Sequence, residues 1–408
     1  MVLKSRFLLL KAREYFSAIA NKLLFLSLPI MQFKDVIGQQ GVKQQLADMV
    51  AKSRISHALL FLGKEGVGAL PLALAFAQYV TCENRRGDDA CGECASCKKA
   101  AQFIHPDIHF TFPVIPKKPG DKPVSADYIA DWRNFLRNYP YGNAYDWLQS
   151  IGAENRQGNI TAEECNNIIH QLSLKSYESE YKILLLWMPE YLGREGNRLL
   201  KLIEEPPAKT LFILAAENEE QILPTILSRT QSIRIPLLDA KDIQLALEQR
   251  SQLPADKALD IANLSEGNYR AALQQLQHIS DDWQQYLRSW LNAILAGGHP
   301  AIVKWIEEIN KLGREKQKLF LQYFNHLLAQ SIRLRILGEE NIALSAQDKD
   351  FAQRLNKFAS VNQQEIMVEE LDKAVYYIER NANAKMLFHA LSIKLNYIIR
   401  HKTLILTD

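Results

Sequence analysis

Five-residue apolar runs, each bounded by polar or glycine-containing segments, punctuate the first half of the chain: Ala58 to Leu62, Ile183 to Trp187 and Leu211 to Ala215. Runs of this length without polar alternation are the pattern of strands buried on both faces of a sheet. From Phe33 to about Pro236 they alternate with stretches of helical spacing, which predicts an α/β domain, a parallel sheet with helices on both faces. Beyond Pro236 the strand pattern fades. Asp239 to Ile279 reads as a small helical unit with breaks at Pro254 and Gly267. From Trp283 onward, amphipathic stretches such as Lys318 to Leu337 and Ala384 to Arg400 predict an all-α bundle. The expected divisions are 31–237, 238–280 and 281–408, without an internal repeat or a Gly/Ser-rich linker.

Composition changes this picture only by exclusion. With 47% apolar and 23% charged residues in 408, the chain is neither disordered nor collagenous. A net charge of +3 does not point to wholesale coating of nucleic acid, and it names no partner. No apolar run approaches the roughly 20 residues of a membrane-spanning helix; the nearest candidate, Leu23 to Ile30, is far too short. Residues 1–30 carry Lys4, Arg6, Lys11, Arg13 and Lys22 against the single acid Glu14. That composition suits a presequence or a membrane-surface helix. Met31, just before the α/β pattern begins, favours a plainer reading: a non-native extension added by an upstream start codon.

Four of the five cysteines fall in one window, Cys82-x8-Cys91-x2-Cys94-x2-Cys97, while Cys165 stands apart as a buried side chain. Four thiolates close a tetrahedral zinc shell, and the short spacings let a turn around Gly92 aim neighbouring sulfurs at one ion. Disulfides or a redox pair are the alternative; without a secretory signal before the domain they have little support. Four protein ligands leave no open position for water, so the expected Zn2+ is structural and folds a small insertion over 82–97.

The run Ala58 to Leu62 leads into Gly63-Lys64-Glu65-Gly66-Val67-Gly68-Ala69-Leu70 and then a helix. This is the context of a P-loop, in which glycines let backbone N–H groups approach phosphates at a helix N-terminus. The motif needs Lys for the β- and γ-phosphates and Ser or Thr for magnesium, yet Ala69 and Leu70 stand there. Lys64 is five positions too early to replace that lysine. A strand of P-loop ATPases also ends in Asp-Glu, whose place is taken here by Trp187 and Met188. Glu190, two residues on, reads as a solvated helix-start residue. Two independent losses argue against hydrolysis and make ATP binding doubtful.

Several segments in order resemble the AAA+ clamp-loader subunits of bacterial DNA polymerase III, and among these the delta-prime type. Phe33 to Gln39 is similar to their entry segment and Ser56 to Phe61 to the strand before their P-loop. The four-cysteine insertion, followed by His105-Pro106-Asp107, sits where these subunits carry a zinc module. Leu199 to Pro207 matches the stretch after the Walker B strand. Leu223 to Gln231 resembles their Ser-Arg-Cys segment, with Thr230 in place of Cys, and Gly267-Asn268-Tyr269-Arg270 looks like their sensor-2 signature. The likeness covers about Phe33 to Leu276; beyond that it rests on helical character.

The resemblance implies a RecA-like AAA+ domain, a small helical lid and a C-terminal collar in a hetero-pentamer with gamma/tau and delta subunits, in the cytoplasm. It implies action on a sliding clamp and primed DNA through the complex. Ala215 and Ala216 stand where active relatives place a polar sensor-1 residue, a third loss. Arg229 matches the arginine that points at the γ-phosphate bound by a neighbouring subunit, so a chain that hydrolyses nothing would still complete another chain's site. Arg270 is expected to have a structural or surface role. Glu204 and Glu205, ahead of Pro206-Pro207, read as a helix end and not as a catalytic acid pair. Two rival readings stand: an ATP-hydrolysing gamma/tau-type subunit with degenerate phosphate contacts, and a zinc-dependent DNA-binding module flanked by Lys98 and Lys99.

Overall fold

The computed structural model describes residues 32–401 apart from 119, 154–155, 278–282, 339–345 and 380–381; the expected extension over 1–30 lies outside the described residues. Among the described residues five strands, β1 (Ala58–Leu62), β2 (Ile108–Thr111), β3 (Lys182–Trp187), β4 (Thr210–Ala216) and β5 (Gln231–Arg234), form one sheet in the order β2-β3-β4-β1-β5. Each pairing in it is parallel, with Ala58 opposite Phe212 and Lys182 opposite Thr210. The three apolar runs become the central strands β1, β3 and β4. The two edge strands are not legible as runs: β2 is broken by His109 and Thr111, and β5 buries only Ile233.

Helices follow in chain order: α1 (Gln40–Ala51), α2 (Ala69–Thr81), α3 (Ala95–Ala101), α4 (Ile129–Asn138), α5 (Ala144–Ser150), α6 (Ala162–Ser173), α7 (Leu200–Glu204), α8 (Pro224–Leu227), α9 (Ala240–Ser251), α10 (Ala255–Leu264) and α11 (Tyr269–Gln277). Helix α2 is apolar all round and buried along nearly its whole length, with Phe76 against Phe61 of β1. On the opposite face of the sheet, Leu60, Leu184 and Leu214 pack with Cys165, Ile168 and Leu172 of α6. Helices therefore cover the sheet on both sides, which its all-apolar strands require. The fold is the expected α/β class, a parallel sheet with helices on both faces, followed by helical structure.

The chain divides into two compact units. The first comprises the described residues up to Pro254 together with Ser265–Ala271, and the second Ala255–Leu264 with the residues from Ala272 on. The second unit is helical, and its core is aromatic: Trp290 stacks on Trp305 at 4.8 Å, with Phe320, Phe324 and Phe388 around them. The long stretches predicted there are helices over Arg314–Leu337 and Ala384–His401.

Candidate functional site

The glycine-rich loop leaves β1 at Gly63, whose N–H donates to Ala216 O of β4 at 3.1 Å. Gly66 and Gly68 adopt φ of +74° and +98°, values that suit glycine, and Gly68 is the residue from which α2 starts. The space above the loop is filled by the protein's own side chains. A Cβ placed on Gly68 would lie 2.9 Å from the Tyr141 ring, and one on Gly66 only 1.8 Å from Asn268 Oδ1. Tyr269 N–H donates to Gly66 O, and Tyr141 is held by accepting from the Ile37 N–H at 2.8 Å.

What remains is a cavity of about 20 Å³ lined by Gly63, Gly66, Gly68, Ala69, Leu70, Trp187, Met188, Ala215 and Ala216 among others. That is space for a single water, whereas small-ligand pockets occupy on the order of 300 Å³ or more. The structure thus gathers every degenerate position picked out in the sequence into one place. Where an acid pair would stand, Trp187 packs on Trp132 and Phe135 with centroids 5.1 and 5.8 Å apart, and Met188 turns the chain with φ +59°.

A charged network closes over the same loop. Arg270 forks onto Asp146 through Nε and Nη2 at 2.5 and 2.6 Å, and Nη1 donates to Glu65 Oε1 at 2.9 Å. Asn143 Nδ2 donates to the other Glu65 oxygen at 2.7 Å. Burial alone would raise the Glu65 carboxyl; the Arg270 charge and the amide donors bring it below its ordinary value. Arg270 therefore cross-links the loop at Glu65 to the start of α5 at Asp146. Of its partners, the capping box Asn143-x-x-Asp146 at the start of α5 has a sequence signature, and Glu65 lies between the loop glycines; only folding shows that they converge.

Glu190 corrects an expectation. Far from being solvated, it turns inward, and its Oε1 accepts from the N–H groups of Glu217 and Asn218 at 2.7 and 2.9 Å. The chain leaving β4 has amides that need an acceptor, and burial pushes the Glu190 carboxyl up. Burial also pushes neighbouring Glu217 up to about 8, with the charges of Glu65 and Glu190 adding to the rise. An acid raised from 4.5 binds its proton more tightly in the native chain, so its contribution to stability is complete below about pH 4.5 and is lost as pH rises through about 8. Glu217→Gln is expected to flatten the melting temperature between those pH values; a slope identical to that of the unsubstituted chain in thermal melts would contradict this.

The four cysteines converge as the spacing predicts. Cys82 ends α2, Cys94 caps α3, and the four Sγ atoms lie within 4.8 Å of one another. Cys91 and Cys97 Sγ are 3.8 Å apart, about the edge of a tetrahedron whose metal–sulfur bonds are ~2.3 Å. All five cysteines are free thiols. N–H groups of Glu93 and Cys94 point at the Cys91 sulfur and lower its thiol to about 6, while burial raises Cys82 and Cys97. The donor set fits a tetrahedral ion. His105 secures the module from below: Asp107 N–H donates to its Nδ1, which places the hydrogen on Nε2, 3.0 Å from Ser96 Oγ. Ser96 in turn donates to Thr81 O.

Arg229 follows α8, and it is not among the residues lining the loop cavity. Its Nε donates to Glu204 Oε1 at 2.7 Å, Nη2 to the same oxygen, and Nη1 to Thr225 O at 2.8 Å and Ser228 Oγ at 3.2 Å. Its side chain is 30% exposed. Glu204 does end a helix, as read from the sequence, with Glu205 as its cap; its hold on Arg229 has no sequence signature.

A family described as "DNA polymerase III, delta subunit" matches residues 38–239. Over that span this chain belongs to the bacterial DNA polymerase III clamp-loader subunits. Among its relatives are DNA polymerase III subunit tau of Salmonella typhimurium, 28% identical over 53% of this chain and 27% of tau, and subunit delta' of Bacillus subtilis, 26% identical over 53% of each chain. A solved gamma subunit-related protein of Thermotoga maritima covers 88% of this chain and 99% of its own, at 13% identity and a TM-score of 0.37. The chain spans only about a quarter to three-fifths of the length of the curated relatives it matches. Clamp-loader subunits of this family thus include chains whose names differ, tau and delta' alike. Among the described residues no helix is long and apolar enough to cross a membrane.

Proposed function

We propose that this chain is a clamp-loader subunit of the delta-prime type, which hydrolyses no ATP itself and lends Arg229 to the nucleotide site of an adjacent ATPase subunit. The observation that carries this reading is the closed loop. Tyr141 and Asn268 cover the glycines, and Ala69, Leu70, Trp187 and Met188 leave neither a lysine nor an acid pair for the chemistry. The Arg229 guanidinium lies outside that cavity, on the segment that resembles the family's trans-acting arginine, and its planar fork suits phosphate. In this reading the partners are gamma/tau and delta subunits in a hetero-pentamer, with 281–408 forming the collar. The assembly acts in the cytoplasm, opening a sliding clamp and placing it on primed DNA. The four cysteines hold a structural Zn2+. A gamma/tau-type role has relatives of slightly higher identity behind it, but it requires phosphate and magnesium contacts that these residues do not supply.

The test is reconstitution of a loader from its ATPase and delta subunits with and without this chain, read as clamp loading on primed DNA. Loading that depends on the chain is expected; full loading without it, or ATP hydrolysis by the chain alone, overturns the proposal. Ala69→Lys combined with Leu70→Thr is expected to leave the isolated chain without ATPase activity, because Tyr141, Trp187 and Met188 still fill the site.

A further inference from the structure

An exposed arginine on a loop is usually solvated, and an exposed ion pair adds little stability. Arg229 departs from that pattern in its geometry. Of the five N–H hydrogens of a guanidinium, four are engaged: two on Glu204, one on Thr225 O and one on Ser228 Oγ. One Nη2 hydrogen is left without an intramolecular partner. The three acceptors come from two helices packed on each other, α7 ending at Glu204 and α8 with its cap Ser228. Thr225 O is one of the carbonyls at the C-terminal end of α8, where a cation is favoured. The plane and direction of the guanidinium are therefore set before any ligand arrives. The pair itself is too exposed, at 30% and 47% of the two side chains, to be explained by stability.

We infer that Glu204 is a positioning residue for Arg229, holding the guanidinium through Nε and Nη2 so that the remaining Nη2 hydrogen and the cation's charge are presented in one orientation to the phosphate bound by the neighbouring subunit. The inference rests on the proposed trans-acting role of Arg229. A group fixed in advance loses less freedom when it engages a transition state, and small misplacements are costly. Glu204 touches no substrate; it acts through the arginine. Its sequence context, a glutamate closing a short helix 25 residues before Arg229, gives no hint of this.

Loaders reconstituted with Arg229→Ala, Glu204→Ala and Glu204→Gln separate the possibilities, with co-elution confirming assembly and ATPase stimulated by clamp and primed DNA as the readout. Glu204→Ala is expected to lower kcat at the site served by Arg229 by roughly 10- to 100-fold, with KM for ATP unchanged. Glu204→Gln keeps a carbonyl oxygen that accepts from Nε and Nη2, and is expected to restore most of the rate. A merely structural pair would move assembly or melting and leave kcat alone. A slow Arg229→Ala beside a Glu204→Ala of normal rate overturns the positioning role and leaves the trans-acting arginine standing. Equal losses in Glu204→Ala and Glu204→Gln also overturn it. An unaffected Arg229→Ala removes the underlying reading and this inference with it.

Discussion

Arg229→Ala is expected to slow ATP turnover at the neighbouring site by about 10³-fold or more, within the 10³ to 10⁵ that an arginine supplied across an interface contributes to phosphoryl transfer. That lower figure corresponds to about 4 kcal/mol of transition-state stabilisation, a share in keeping with one full charge brought next to developing negative charge in a site from which water is excluded. The effect should fall on kcat and leave ATP affinity nearly unchanged, because the contact forms on the transferring phosphoryl group. Arg229→Lys is expected to rescue little. An ammonium lacks the planar fork that engages Glu204, Thr225 and Ser228 together. In an assembled loader with several ATPase sites the total rate falls by the share of one site, so turnover is best read with the other sites disabled. A normal rate in that background would remove Arg229 from the mechanism.

With the proposed Zn2+ on the four cysteines, removing it is expected to give the largest change in stability. Structural zinc contributes about 10–16 kcal/mol of apparent binding energy in small thiolate and imidazole sites near neutral pH, and the insertion over 82–97 has little apolar core of its own to replace it. The consequences should reach past the module. Cys82 terminates α2, Asp89 accepts from the N–H groups of Phe33 and Lys34, and Ser96 and His105 join α3 to the segment entering edge strand β2. A strong chelator, or Cys97→Ser, should increase amide exchange across 82–105 and lower the melting temperature of the full chain. Elemental analysis should find one zinc per chain, retained near neutral pH and released on acidification as the thiolates take up protons. A chain free of metal that melts identically with and without chelator would contradict this.

How far the sequence carries depends on how local each signal is. The three central strands are legible to within one residue at each end because burial on both faces leaves uninterrupted apolar runs. The edge strands β2 and β5 are not, since only some of their side chains turn inward. The cysteine cluster is readable because its ligands lie within sixteen consecutive residues. Degeneracy of the loop is readable from Ala69 and Leu70, but its closure is not. Tyr141, Asn268 and Arg270 come from segments 70 to about 200 residues away, and no local pattern records that approach. Glu190 defeats a local reading for the same reason. Its acceptor oxygen and its donors meet only once β3 and β4 lie side by side, and a glutamate at a helix start gives no sign of whether it faces water or the amides of Glu217 and Asn218.

Equilibrium binding of ATP with magnesium to the isolated chain tests most directly the claim that this subunit's own site is closed by its own side chains. No saturable binding up to millimolar ATP, and no hydrolysis, is the predicted result, because Tyr141 on Gly68, Asn268 on Gly66 and the Arg270 fork leave about 20 Å³ above the loop. Micromolar affinity, or any turnover by the chain alone, would contradict it.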